Sequence, residues 1–290
     1  MKKVGFVCVY GRANAGKSTI INKCLGFKLL PVSNKPQTTR DNVKAIYNDD
    51  DSQIVFVDTP GVFAPHGKLG SILLRTSENA KDGVDLIMYV VDISLPPNFE
   101  LANKLQNIDI PVLIVFNKID LVKANIGEER IQRYLEVLPN SKFIRMSAET
   151  NYGVDELISS LKEMLPEGIE FYQDDIVSDR PKEYVIAEMI REKCMRLLSK
   201  EVPHSIFIDL KSVTIEDDLM TVLGNIIVEK PSEKAIVIGK NGKMISEISK
   251  YSEQTISNYF GLDVSLNLVV KVVPDWRNDD RYLKKYGFEE

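Results

Sequence analysis

The sequence predicts an α/β domain built on a mainly parallel sheet, followed by a smaller α+β domain. Three observations carry that expectation. Short apolar runs alternate with amphipathic stretches over the first 165 residues. An acid-rich stretch bounded by Pro166 and Pro181, without helical or strand periodicity, then interrupts the chain. Beyond it the order changes to helix, two strands, two helices and a strand. At 290 residues, and roughly 150 residues per domain, two separate cores are expected. The expected boundaries are residues 1–166, a connector at 167–181, and residues 182–290.

In the front part, residues 4–10, 54–57, 86–91, 112–116 and 143–146 read as buried strands. They are short and rich in Val and Ile, whose branched side chains suit a pleated surface. Residues 18–25, 72–81, 128–138 and 154–165 carry helical spacing between them. Strands alternating with helices imply parallel pairing with helices on both faces. The exception is the pair 43–47 and 54–57, which Asn48 to Ser52 joins too briefly for a crossover, so these two strands should form an antiparallel hairpin. In the back part, residues 184–200 place Ile186, Ile190, Cys194 and Leu197 on one helical face. Strands follow at 206–214 and 221–228, helices at 234–238 and 245–260 around a glycine turn, and a last strand at 264–273.

Composition excludes several classes. With 44% hydrophobic and 27% charged residues the chain is neither disordered, collagen-like nor coiled-coil. No apolar run approaches the roughly 20 residues that span a bilayer. The start, Met-Lys-Lys-Val-Gly-Phe-Val-Cys-Val-Tyr-Gly, has no cleavable apolar segment, so export is not expected. Cys8, Cys24 and Cys194 form no C-x-x-C, which argues against disulfide or zinc frameworks and for a reducing, cytoplasmic setting. The net charge of -5 argues against general nucleic-acid binding, but it is unevenly spread. Residues 1–165 hold 20 basic against 19 acidic residues, and 166–290 hold 17 against 23. Within that acidic back part, residues 230–250 carry five lysines against two glutamates.

Gly11-Arg-Ala-Asn-Ala-Gly-Lys-Ser18 fits G-x-x-x-x-G-K-[ST] between an expected strand and an expected helix. Gly11, Arg12, Ala13, Asn14, Ala15, Gly16, Lys17, Ser18 and Thr19 would then wrap a phosphate chain with backbone N–H groups. Lys17 supplies a point charge and Ser18 a hydroxyl for Mg²⁺. Asp58-Thr59-Pro60-Gly61 closes another strand, where Asp58 can hold the magnesium through water and the Gly61 N–H can sense a γ-phosphate. Asn117, Lys118 and Asp120 follow the run 112–116, at the strand end where open α/β sheets bind ligands. A carboxylate there accepts from N1–H and the exocyclic amine of guanine, whereas adenine leaves it unpaired, so Asp120 selects GTP over ATP. Ser147, Ala148 and Glu149 offer backbone N–H groups to the base. Gln37-Thr38-Thr39-Arg40-Asp41 lies between the phosphate loop and Asp58.

Gly239-Lys240-Asn241-Gly242 is a G-x-x-G, followed by Lys243. A second one, Gly67-Lys-Leu-Gly70, shows how weak that spacing is alone. The former sits between two helices inside the α-β-β-α-α-β order, with Ile236, Ile238, Ile245 and Ile248 placed to line a base groove or to serve as core. Trp276, in the closing Pro274-Asp-Trp-Arg segment, could stack a base or cap the core.

Taken in order, these segments resemble the translation-factor-like GTPases, and within them the Era, TrmE and EngA group. One GTPase domain followed by a G-x-x-G domain of the type II KH kind, with the W-R-x-D ending, is similar to the Era family alone. The resemblance covers nearly the whole chain. It implies a P-loop GTPase with GTP or GDP and Mg²⁺, catalysis by Lys17, Thr39 and Gly61, and magnesium ligation by Ser18, Asp58 and the switch Thr39 with Thr38 beside it. It implies a K⁺ ligand at Asn14, which otherwise only satisfies local backbone groups. It further implies that Gly239 to Lys243 bind small-subunit ribosomal RNA near its 3′ end, in small-subunit assembly, with peripheral membrane association and no stable oligomer. An RNA chaperone with negligible turnover and a membrane-associated cell-cycle switch are the alternatives. Ala13 and Ala15 replace the family's proline and valine, and Val62 stands where Ras-like enzymes place a water-orienting glutamine, so slow intrinsic hydrolysis is expected.

Overall fold

The computed structural model describes residues 1–32, 43–58, 83–199 and 202–285, which fall into two compact units. The expected helix at 72–81, the segment 37–41, and Thr59 to Gly61 lie outside the described residues.

The first unit is a seven-stranded sheet in the order β2-β3-β1-β4-β5-β6, with β7 paired to β1. Its strands are β1 (Lys2–Gly11), β2 (Val43–Asn48), β3 (Ser52–Asp58), β4 (Leu86–Asp92), β5 (Val112–Asn117), β6 (Lys142–Arg145) and β7 (Glu167–Gly168). β1, β3, β4, β5 and β6 run parallel, and β2 turns back antiparallel on β3 through the short Asn48 to Ser52 turn. The central strands are apolar on both faces, and Val7, Phe56, Ile87, Val115 and Phe116 are buried. Such burial stabilises by roughly 1.5–3 kcal/mol per large side chain and fixes which strands can be central.

Among the described residues, the helices of this unit are α1 (Lys17–Leu25), α2 (Glu100–Leu105), α3 (Ala124–Val137) and α4 (Val154–Met164). α2 has too few turns for a periodic signal, yet it buries Leu101, Ala102 and Leu105. These join Tyr10, Tyr89, Phe116, Ile131 and Tyr134 in one cluster on that face of the sheet. Because the five parallel strands point the same way, Gly11, Asp58, Asp92, Asn117 and the segment after Arg145 all emerge on a single rim.

The stretch expected as a connector behaves differently over most of its length. Residues 167–179 run along the first unit: β7 pairs with Lys2 and Lys3, and Phe171 packs on Phe6 with ring centroids 4.7 Å apart. The fully buried Gln53 side chain accepts from the Phe171 N–H at 2.7 Å and donates to the Tyr172 carbonyl at 2.9 Å. Further on, Ile46 N–H donates to Val177 O at 3.0 Å. The segment is held largely through its backbone groups, with the Phe171 ring and the Lys2–Glu170 and Lys3–Glu167 pairs beside them, none of which leaves a mark in hydrophobic periodicity.

The second unit holds α5 (Lys182–Leu197), β8 (Phe207–Glu216), β9 (Leu219–Val228), α6 (Pro231–Ile238), α7 (Lys243–Phe260), β10 (Asp263–Val272) and α8 (Asp280–Lys285). Its three-stranded sheet has the order β10-β9-β8, with β10 parallel and β8 antiparallel to β9. Ile186, Ile190 and Cys194 of α5, with Ile248 and Ile256 of α7, are fully buried. Leu197 is only half-buried at the helix end, where Leu198 takes the core position. Trp276 is fully buried, packs on Phe207 with centroids 5.7 Å apart, and donates its indole N–H to Ser205 O at 2.8 Å. It therefore caps the core and cannot offer a face to a base.

Candidate functional site

The rim of the first unit brings the phosphate-loop and base-loop segments together. α1 begins directly after Gly16, whose φ of +100° is left-handed. A Cβ added there would lie 2.3 Å from Asn117 Nδ2, so the position is closed to side chains by conformation and by space. The close approach exists because Asn117 spans two loops. Its Nδ2 donates to Ala15 O at 2.9 Å, and its Oδ1 accepts from the Ala148 N–H at 3.1 Å. One buried amide thus ties the phosphate loop to the Ser147-Ala148-Glu149 segment, and the backbone N–H groups of the first turn of α1 remain directed at the space before the helix.

Lys17 and Ser18 face Asp58 across this space. Lys17 Nζ is buried and donates to Gly11 O and Arg12 O, each at 3.1 Å. Burial pushes its pKa down to about 8, against the Asp58 carboxylate, which raises it. Ser18 Oγ donates to Asp58 Oδ2 at 2.7 Å. A hydroxyl and a carboxylate oxygen at the end of a strand are hard donors of the kind magnesium takes, and an ammonium beside them suits phosphate oxygens. The residues present fit a Mg²⁺-nucleotide.

On the other side, Lys118 has a left-handed φ of 66° and directs its ammonium back across the rim. Nζ donates to Asn14 O at 2.8 Å and pairs with Asp92 Oδ2 at 2.6 Å. Asp120 follows in a short 3-10 turn, Ile119–Leu121, and is exposed. Ser147 and Ala148 are buried, the Ser147 N–H donates to Tyr152 O at 3.0 Å, and Glu149 is exposed. Arg12 and Asn14 are exposed while Ala15 is buried. Of the described members of the expected set, the structure ties Asn14 and Ala15 to Lys118 and Asn117, Asn117 to Ala148, Lys17 to Gly11 and Arg12, and Ser18 to Asp58, whereas Asp120 and Glu149 stand exposed on the segments that follow. Thr39 and Thr59 to Gly61 lie outside the described residues. Sequence reasoning missed Asp92. Its only signal is that it ends an apolar strand, as Asp58 does.

In the second unit, α6 is started by Glu233, whose Oε2 accepts from the Glu229 N–H at 2.9 Å, the Lys230 N–H at 3.2 Å and Ser205 Oγ at 3.0 Å. That buried carboxylate fixes the helix that leads into Gly239. Gly239 (φ 73°) passes so close to Met244 that a Cβ would lie 2.6 Å from Met244 Cβ. Asn241 and Gly242 are also left-handed, at φ 54° and 75°. Lys240, Asn241 and Lys243 consequently stand exposed on a tight turn between α6 and α7, in a form that leaves room for a phosphodiester backbone. Ile236 is exposed and Ile238 and Ile245 are half-buried, whereas Ile248 is fully buried, which takes it out of any groove.

Comparison with known proteins follows the same division. Residues 6–118 match the family described as 50S ribosome-binding GTPase, and residues 201–277 match the KH domain. The GTPase Era of Lactobacillus delbrueckii subsp. bulgaricus is 42% identical over 292 residues, covering 99% of this chain and 97% of its own. That of Clostridium kluyveri is 39% identical over 293 residues and covers all of both chains. Among solved structures, a point variant of Aquifex aeolicus Era bound to GDP and AlF4⁻ superposes with a TM-score of 0.94 at 33% identity, covering 99% of this chain and 100% of that one. Era in complex with MgGDPNP and nucleotides 1506–1542 of 16S ribosomal RNA gives the same TM-score and identity over 100% of both chains.

Proposed function

The chain belongs to the Era family of GTPases, and from that premise we propose that it is a nucleotide-timed RNA switch. It holds the 3′ end region of small-subunit ribosomal RNA during small-subunit assembly and releases it as GTP is hydrolysed. The observation that carries this reading is the pairing, on one chain, of an assembled guanine-nucleotide rim with an exposed, left-handed G-x-x-G turn. The solved relative holding MgGDPNP together with 16S ribosomal RNA supports it.

In this reading residues 1–166 are the timer and residues 182–290 the RNA reader. Lys17 leaves the Gly11 and Arg12 carbonyls for the β- and γ-phosphate oxygens. Ser18, Asp58 and Thr39 hold Mg²⁺, Asp58 through water, and the bound ion supplies charge neutralisation at the transferring phosphate. The Gly61 N–H contacts the γ-phosphate, and Asp120 accepts from the guanine edge. Asn14 contributes to a K⁺ site, and turnover that is equal in K⁺ and Na⁺ buffers would sink that assignment. Gly239, Lys240, Asn241, Gly242 and Lys243 clamp the RNA backbone. The protein works in the cytoplasm without forming a stable oligomer, and any membrane association is peripheral. Among the described residues no helix is long and apolar enough to cross a membrane.

Crosslinking in cells followed by sequencing of the bound fragments tests the reading. Fragments should concentrate at the 3′ end of small-subunit ribosomal RNA, and a spread over unrelated RNAs would overturn it. Val62 favours a second reading, a chaperone that holds GTP and barely turns it over. Single-turnover hydrolysis with and without ribosomal RNA separates the two.

A further inference from the structure

We infer that Asp92 is a positioning residue for guanine-nucleotide retention, acting through Lys118. The two are brought together by strand pairing: Asp92 lies opposite Asn117 in the parallel β4–β5 register, one position before the lysine. Asp92 has little freedom. Oδ1 accepts from the Ser94 N–H at 3.1 Å and from Ser94 Oγ at 2.5 Å, which orients the carboxylate, and Oδ2 meets Lys118 Nζ at 2.6 Å. Its side chain is 12% exposed and that of Lys118 30%, so the pair is partly shielded from water. The same ammonium donates to Asn14 O at 2.8 Å.

The end of β5 therefore reaches the phosphate loop by two parallel bridges. Asn117 makes the neutral one to Ala15 O, and Lys118 makes the charged one to the adjacent Asn14 O. An amide is oriented by its two partners, but an ammonium on a flexible four-carbon stem is not. Asp92 supplies the missing orientation, holding the Lys118 stem in one posture across the rim. Asn14 is itself left-handed at φ 62°, so a carbonyl anchor restrains the turn of the loop that must wrap the phosphates. Neither end of this bridge reaches the Ser18–Asp58 side of the rim, so its effect should be the same for GDP and GTP.

The test is a double-mutant cycle on the full chain with Asp92→Asn and Lys118→Met, read as dissociation rates of fluorescent GDP and a non-hydrolysable GTP analogue. Loss of one charge-assisted hydrogen bond of this exposure corresponds to about tenfold faster dissociation. Asp92→Asn should show that increase for both nucleotides, and none in the Lys118→Met background. An unchanged rate, or the same increment in both backgrounds, would show that Asp92 serves only its strand and overturn the inference. Asp92→Glu keeps an anion for the ammonium and should dissociate more slowly than Asp92→Asn. Equal rates for the two would also count against it. Should Asp92→Asn not fold, Asp92→Ala in both backgrounds removes the same carboxylate and supplies the same cycle.

Discussion

At the scale of single residues, Lys17 sets a pH dependence. Its pKa in the folded chain lies near 8, below the ordinary lysine value of 10.5. A lowered lysine pKa means that the charged form costs stability, fully so below about pH 8, and that this cost fades as pH rises towards 10.5. Phosphate oxygens favour the ammonium and raise the pKa again. Nucleotide binding just above pH 8 should therefore take up a proton, and affinity should fall as pH rises further. Calorimetry in two buffers of different ionisation heat measures that uptake, and its absence would show that the amine remains protonated in the nucleotide-free chain. Lys17 itself was legible from the motif spacing. Its burial was not, because that depends on Gly11 and Arg12 carbonyls closing over it.

At the scale of elements, the α6–α7 turn makes the most local prediction. Its shape is fixed from behind, by Glu233 at the start of α6 and by the tight pass of Gly239 against Met244, so the outward side chains can change without disturbing it. Replacing Lys240 and Asn241 with aspartate should leave nucleotide affinity and thermal stability within experimental error. It should weaken ribosomal RNA binding by at least tenfold, since two like charges would face the phosphates. Retained RNA affinity in a filter-binding assay would refute the RNA-contact role of the turn. The elements themselves were readable where apolar runs were long, as in β4 and β5. They were unreadable in α2, whose three buried residues span fewer than two turns. They were also unreadable along residues 167–179, where the chain is held by the Gln53 side chain and by backbone pairing.

For the molecule as a whole, the charge of -5 conceals a division of labour. The back part is acidic as a whole, and residues 230–250 carry five lysines against two glutamates, so attraction for polyanions is expected around the α6–α7 turn and not over the rest of that unit. Which lysines stand around the turn was legible in the sequence once the element order was known. The cross-rim bridges were not: Asn117 to Ala15 and Asp92 to Lys118 to Asn14 join residues far apart in the chain, and only the parallel strand order makes them neighbours. Trp276 was open between two roles until its indole N–H was seen bonded to Ser205 O.

That burial has an optical consequence. The chain has a single tryptophan, and it is sealed in the core of the second unit beside Phe207. Indole emission excited beyond the tyrosine band therefore comes from that unit alone. A shift to longer wavelength marks its unfolding while the nucleotide unit stays dark, so the melting of the second unit can be followed by itself in the unmodified protein.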